Sequence, residues 1–291
     1  MTAASPTPGA PRERAITEFE YEQFCELFYR TTGIRFGASK RYFVDKRVND
    51  RIRETGSANF SAYLRKLKLD PHGFEMQLLV DAMTVNETYF YRETQQIDLM
   101  IQELLPELCR SKAPGVPIKI LSKPCSSGEE PYSIALKLLE EWREVDDFDV
   151  NIHGSDIDSK MIERAKEGLY SERSVAKLPP GVKSRYFRRE ARGWRIIEEL
   201  RASVDFRRVN ALDRAQMMRY SRFDVVFCRN MLIYFDDVSR RKVVDAFYDV
   251  LNPGGYLVLG ASETIGQSSR LFAPVRRSGL VVYRRRERGE T

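Results

Sequence analysis

The chain has 291 residues, enough for one large and one small domain, each with its own core. Its formal charge of +6 comes from 48 Lys and Arg interleaved with 42 Asp and Glu, which permits an acidic partner without indicating a nucleic-acid-binding block. Four well-separated cysteines, Cys25, Cys109, Cys125 and Cys228, contain no Cys-x-x-Cys pair; they argue against a zinc site or disulfide framework and fit a reducing, cytoplasmic compartment.

Residues 1–15, rich in Pro, Ala, Ser and Thr, lack the apolar segment of a signal peptide and read as a disordered tail. No run approaches the roughly 18 uninterrupted apolar residues of a membrane span, so a soluble protein without membrane insertion is expected. Residues 16–85 read as a small helical domain. Thr17 and Glu20 stand in capping-box spacing, Phe24, Leu27 and Phe28 share a face, and Gly33 stops the helix. A second helix, 39–55, has Phe43, Val48 and Ile52 as core candidates and carries Lys40, Arg41, Lys46, Arg47, Arg51 and Arg53. Phe60 to Leu69 and Phe74 to Met83 complete a bundle too small for an enzyme's cleft and suited to docking.

From residue 86 to 291 the pattern changes. An amphipathic stretch, Glu93 to Cys109, precedes strands alternating with helices, the signature of a parallel sheet. Strands are expected at 118–122, 149–155, 204–209, 223–228, 256–261 and 279–283. Residues 171–205, where charges interrupt short apolar runs such as Tyr186-Phe187 and Trp194 to Ile197, read as an inserted antiparallel element. Arg284, Arg285, Arg286 and Arg288 read as a solvated basic tail.

The first strand runs into Ser122-Lys123-Pro124-Cys125-Ser126-Ser127-Gly128-Glu129-Glu130-Pro131 and then a helix, which places a ligand at the sheet's carboxyl edge. One glycine followed by two carboxylates is a poor pyrophosphate cradle. It suits a ligand with hydroxyls and a cationic amine or sulfonium, as in S-adenosyl-L-methionine, although Glu129 and Glu130 would equally complement a helix dipole. Asp156, after the second strand, stands where such folds bind ribose hydroxyls, or else caps the next helix. Neither His72 nor His153 is placed to be a general base. A carboxylate acceptor would need none, being ionised at neutral pH. The fourth strand ends in Cys228-Arg229-Asn230, polar residues that either meet the ligand or satisfy loop backbone.

Four strings in this order, Asn86-Glu87-Thr88-Tyr89-Phe90-Tyr91-Arg92, Cys125 to Ser133, Ser155-Asp156-Ile157-Asp158 and Cys228 to Asp236, closely resemble the CheR-type chemotaxis receptor methyltransferases. The resemblance spans nearly everything from Ile16 to Tyr283. It implies an α/β fold: a Rossmann-like class I methyltransferase domain with a small antiparallel β insertion, preceded by a small all-α domain. It further implies S-adenosyl-L-methionine as methyl donor, S-adenosyl-L-homocysteine as product, and glutamate side chains of a methyl-accepting chemoreceptor as acceptor. Cofactor contacts are implied at Asn86, Thr88, Arg92, Glu130, Asp156, Asn210, Ala211, Arg229 and Asn230, to which the turn itself adds Gly128 and Glu129. Arg92 and Tyr234 match the residues nearest the transferred methyl group.

The sequence departs from that pattern at Lys123-Pro124, where relatives commonly carry small residues; a stiffer loop and altered cofactor affinity are the expectation. The segment Arg188 to Gly193 is short and basic where some relatives bind a receptor tether peptide, so a tether-independent enzyme is expected. The basic helix 39–55 resembles the family's receptor-docking surface, against the alternative of a solvated face. A nucleic-acid methyltransferase is the rival enzyme, disfavoured because Pro124-Cys125 sits in the first turn. A non-catalytic, cofactor-binding adaptor is the rival from another class.

Overall fold

The computed structural model describes residues 16–220, 222–266 and 270–287. The expected tail 1–15 and Arg288 lie outside the described residues. Two compact units emerge among these residues, one made of 16–31 and 35–83, the other of 32–34 and 84–287.

The first unit is all helical, with α1 Glu18–Thr32, α2 Arg41–Glu54, α3 Phe60–Lys68 and α4 Phe74–Met83. The capping box forms at the start of α1: the Thr17 amide donates to Glu20 Oε2 at 2.8 Å, and the Glu20 amide donates to Thr17 Oγ1 at 3.3 Å. Phe24 and Phe28 are buried and stack 5.6 Å apart. In α2 the buried apolar positions are Val44 and Val48, while Phe43 and Ile52 are only half-buried. The third buried residue of α2 is Arg51. Its guanidinium donates to Glu75 of α4 at 3.0 and 2.7 Å, and the Tyr63 hydroxyl adds a 2.8 Å bond to the same carboxylate.

The second unit opens with α5 Gln95–Leu99, a π-helical turn Met100–Leu104 and α6 Leu105–Ser111. The strands are β1 Ile118–Ser122, β2 Val150–Asp156, β3 Leu169–Tyr170, β4 Phe187–Glu190, β5 Gly193–Ile196, β6 Val204–Arg208, β7 Phe223–Cys228, β8 Leu251–Leu259, β9 Phe272–Arg277 and β10 Leu280–Arg285. Seven of them make one sheet in the order β6-β2-β1-β7-β8-β10-β9, parallel from β6 to β8 and antiparallel for β10 and β9. The expected small antiparallel element is the sheet β3-β5-β4, which starts at Leu169, slightly before residue 171.

Both faces of the large sheet are covered. Along β7, Val225 and Phe227 join a core with Ile97, Leu104 and Leu136, while Val226 and Cys228 join one with Val243 and Phe247 of the helix Asp237–Val250. Such side chains each contribute about 1.5–3 kcal/mol on full burial. β9 was not legible in the sequence because Pro274 and two arginines mask its alternation, which an edge strand tolerates. Arg284 and Arg285 belong to β10 rather than to a solvated tail; Arg285 is buried with its guanidinium 4.2 Å from the Tyr248 ring centroid. No helix among the described residues is long and apolar enough to cross a membrane.

Candidate active site

The strand order reverses between β1 and β7, and ligands of open α/β sheets bind at such a point, outside the carboxyl ends of the strands. β1 leaves the sheet at Ser122 and turns into α7, Glu129–Glu141, through Gly128. Gly128 has φ +96, and a Cβ there would lie 3.0 Å from both the Ala165 Cβ and the Tyr170 hydroxyl. Conformation and space both require glycine.

Asp156 closes β2. Its Oδ2 accepts the Ser126 N–H at 2.8 Å and its Oδ1 the Asp158 N–H at 3.0 Å. Burial pushes its carboxyl above the ordinary range, opposed by these two N–H groups and by the Lys123 charge. A carboxylate has about four acceptor positions, so capacity for ligand hydroxyls remains. Asp158 caps the next helix, Ser159–Glu167, and accepts from the Thr84 hydroxyl at 2.5 Å and Asn86 Nδ2 at 2.8 Å. The loop that begins at Asn86 is thereby tied to the end of β2.

Glu130 accepts from the Ser122 hydroxyl at 2.8 Å and from Arg229 at 2.9 Å. Burial pushes the Glu130 carboxyl up, and the Arg229 charge pulls against it. Arg229 also donates to the carbonyls of Arg92 at 2.6 Å and Glu93 at 3.2 Å. Its one side chain joins the first turn of α7, the end of β7 and the loop after Asn86. Glu129 bonds elsewhere, accepting from the hydroxyls of Ser127 at 2.8 Å and Ser174 at 2.9 Å.

The Asn86 to Arg92 loop is anchored by Phe90, fully buried and edge-on to Tyr170 and Phe187, with ring centroids 4.7 and 5.1 Å away. Arg92 lies between Tyr91 and Glu93, whose φ angles are 58° and 50°; Ser126 and Asn230 have φ of 47° and 57°. Left-handed backbone at non-glycine residues is costly and gathers at functional sites. Arg92 is half-buried and donates to the Glu87 carbonyl at 2.6 Å. Beyond β7, Glu263 accepts the N–H groups of Asn230 at 2.6 Å, Leu232 at 2.8 Å and Gly260 at 3.1 Å. The 3₁₀ turn Leu232–Tyr234 follows, with Tyr234 42% exposed. Asn210, after β6, accepts the Leu212 N–H at 3.0 Å, and Ala211 is buried.

The Ser126 hydroxyl and the Arg229 Nε are buried without a hydrogen-bond partner among the described residues. Orphaned donors beside a buried carboxylate with spare acceptor capacity fit a ligand rich in hydroxyls, as S-adenosyl-L-methionine is. Among the described residues, no group of three or more His, Cys, Asp or Glu could hold a metal ion.

The description "CheR methyltransferase, SAM binding domain" matches residues 86–279, and "CheR methyltransferase, all-alpha domain" matches residues 20–84. The chain belongs to the CheR methyltransferase family. It is similar to Chemotaxis protein methyltransferase 2 of Vibrio cholerae serotype O1, at 46% identity over 89% of this chain and 90% of that one. Chemotaxis protein methyltransferase 1 of Pseudomonas aeruginosa is 33% identical over 91% of this chain and 97% of its own. The chemotaxis protein methyltransferase of Borreliella burgdorferi is 31% identical over 88% and 92%.

Membership in the CheR methyltransferase family makes S-adenosyl-L-methionine the cofactor of residues 86–279. Of the residues expected at its cleft, Asn86 and Asp156 meet through Asp158, while Glu130, Arg229 and the Arg92 backbone form one hydrogen-bonded group. No hydrogen bond joins Glu129 to that group, and Thr88 is half-buried in the anchored loop. Sequence reasoning passed over Ser126, Asp158 and Glu263. Asp158 belongs to the Ser155–Asp158 string, and its signal there is a helix-capping position. Glu263 lies 33 residues beyond Asn230 and offered none.

Proposed function

We propose that the chain transfers the methyl group of S-adenosyl-L-methionine to glutamate side chains in the cytoplasmic signalling domain of a methyl-accepting chemoreceptor, forming glutamate methyl esters for sensory adaptation. The observation that carries this reading is a site whose acids are each engaged by neighbouring donors, beside a half-buried arginine. Asp156 takes two backbone N–H groups, Glu130 takes Arg229 and Ser122, and Glu129 takes two serines. His153 pairs with Asp205 at 3.2 Å and stands edge-on to Tyr220 and Phe223. Such a site lacks a ready base and suits an acceptor that is already an anion.

The bound cofactor supplies a sulfonium-activated methyl group. Asn86, Thr88, Gly128, Asp156, Asn210, Ala211, Arg229 and Asn230 hold it in this reading, with Glu129 and Glu130 shaping the first turn of α7. Arg92 orients the incoming carboxylate through charge-assisted hydrogen bonds, and Tyr234 walls the approach. Alignment supplies the rate, because the nucleophile requires no deprotonation. Similarity to proteins called chemotaxis protein methyltransferases over about nine-tenths of the chain supports the pathway.

The all-α unit is assigned to receptor docking, and the cytoplasm is where such a receptor domain would be met. The docking charges are fewer than the sequence implied: Arg51 is buried against Glu75, Arg41 is bonded to Asp45 and Glu18, and the exposed Arg53 is paired with Asp50, beside the exposed Lys40, Lys46 and Arg47. In the small sheet the β4–β5 hairpin closes through Ala191-Arg192, and Arg189 and Arg192 are paired with Glu172 and Glu167. That pairing favours action without a tether peptide.

The experiment is transfer of labelled methyl from S-adenosyl-L-methionine to a receptor signalling fragment from the source organism. Label should enter glutamate-containing peptides of the fragment, and Arg92→Ala should slow it about a hundredfold. A chain that binds cofactor yet labels no receptor fragment would overturn the proposal in favour of an adaptor role.

A further inference from the structure

Lys123 is unused by the proposed chemistry, yet it lies in the cofactor turn and is buried, 2% exposed. Its Nζ donates to Ser155 Oγ at 2.7 Å and to the Val209 carbonyl at 2.6 Å. Its backbone N–H donates to the Phe227 carbonyl at 2.9 Å. One residue at the end of β1 therefore ties together the carboxyl ends of β2, β6 and β7. Ser155 immediately precedes Asp156 and Val209 immediately precedes Asn210, both expected at the cofactor cleft.

A buried ammonium is costly, and an apolar side chain of similar length would fill the same space at less cost. What such a side chain would lack is charge and the two hydrogen bonds to Ser155 and Val209. The groups facing Lys123 are the Asp156 carboxylate and the thiols of Cys125 and Cys228; the charges facing Asp156 are Lys123 and Asp158. No direct bond joins Lys123 to Asp156, whose oxygens take the Ser126 and Asp158 N–H groups instead.

We propose that Lys123 is a positioning residue for the cofactor: its ammonium pins the ends of β2 and β6 against β1, and so sets Asp156 and Asn210, the residues that follow Ser155 and Val209, at the cleft. This rests on the reading that Asp156 faces the cofactor. Burial lowers Lys123 to about 8, which still leaves it mostly protonated at neutral pH. The same burial raises Asp156. Without the ammonium the Asp156 carboxyl rises further, and a protonated carboxyl gives up acceptor capacity. Cofactor affinity then falls as pH falls.

The test is calorimetric titration of S-adenosyl-L-homocysteine into the full chain between about pH 5.5 and 7, a window in which neither its carboxyl nor its amine titrates. Lys123→Met is expected to bind about tenfold more weakly at pH 7 and to weaken further on acidification, while the wild type changes little. A Met variant with wild-type affinity and the wild-type pH profile overturns the assignment. Should Lys123→Met not fold, Ser155→Ala carries the test, since it removes one of the two acceptors; it should weaken binding about threefold, and unchanged affinity overturns the proposal. Asp156→Asn separates the layers. Unchanged affinity there overturns the reading of Asp156 and this proposal with it, whereas a loss there with no change in Lys123→Met overturns the role of Lys123 alone.

Discussion

The Arg229 guanidinium donates to the Glu130 carboxylate at 2.9 Å, and with its side chain only 2% exposed it also holds the carbonyls of Arg92 and Glu93. Removing one partner of such a buried pair leaves the other charge uncompensated, at a cost of about 3–5 kcal/mol. Arg229→Met should show that loss in urea unfolding, together with weaker S-adenosyl-L-homocysteine binding. Adding Glu130→Gln should restore part of the stability without restoring binding. A single Met variant as stable as the wild type would contradict this.

Arg51 and Arg47 lie on the same helix but should respond oppositely to charge reversal. Arg51→Glu would set two carboxylates against each other where Arg51 and Glu75 now meet, and should destabilise the all-α unit by at least about 3 kcal/mol. Lys46→Glu with Arg47→Glu, at exposed positions, should leave melting temperature and cofactor affinity unchanged while raising the receptor KM several-fold. Unchanged receptor KM in the double variant would remove α2 from the docking surface.

Glu263 is expected to be a positioning residue for the loop after β7, since both its oxygens take backbone N–H groups there. In Glu263→Gln the side-chain amide would face one of those donors. Steady-state methylation should show kcat lowered about tenfold or more with receptor KM little changed. A drop confined to receptor KM would argue for a surface role instead.

The four thiols should differ in reactivity. Burial raises Cys125 and Cys228 well above the ordinary thiol range, whereas Cys25 and Cys109 are half-buried and raised less far. Only the thiolate is nucleophilic. Mass spectrometry after alkylation at pH 8 should find Cys25 and Cys109 modified first, with Cys125 and Cys228 modified only on unfolding. Early alkylation of Cys228 would show that the end of β7 is open to solvent.

Local patterns carried much of the fold. The Thr17/Glu20 spacing, the apolar run of β7 and the strand–turn–helix at Gly128 each express a near-neighbour rule, and each formed as expected. What stayed hidden depended on contacts distant in sequence. Arg51 is a surface charge by its pattern and becomes a core residue only because Glu75 arrives 24 residues later. The clamp from Glu263 and the strut from Lys123 to Val209, 86 residues on, follow the same logic. β9 was masked by Pro274, because its edge position exists only once the sheet is assembled.

The proposed acceptor is a carboxylate, and the chemical stability of the product distinguishes it from an amine. Receptor fragment labelled by the purified chain should be treated with mild alkali and the volatile fraction counted. Release of the label as methanol, absent in fragments whose acceptor glutamates are replaced by alanine, is the result expected of a glutamate methyl ester. Label that stays on the fragment through alkali would identify an amine or other base-stable acceptor and rule out a glutamate ester.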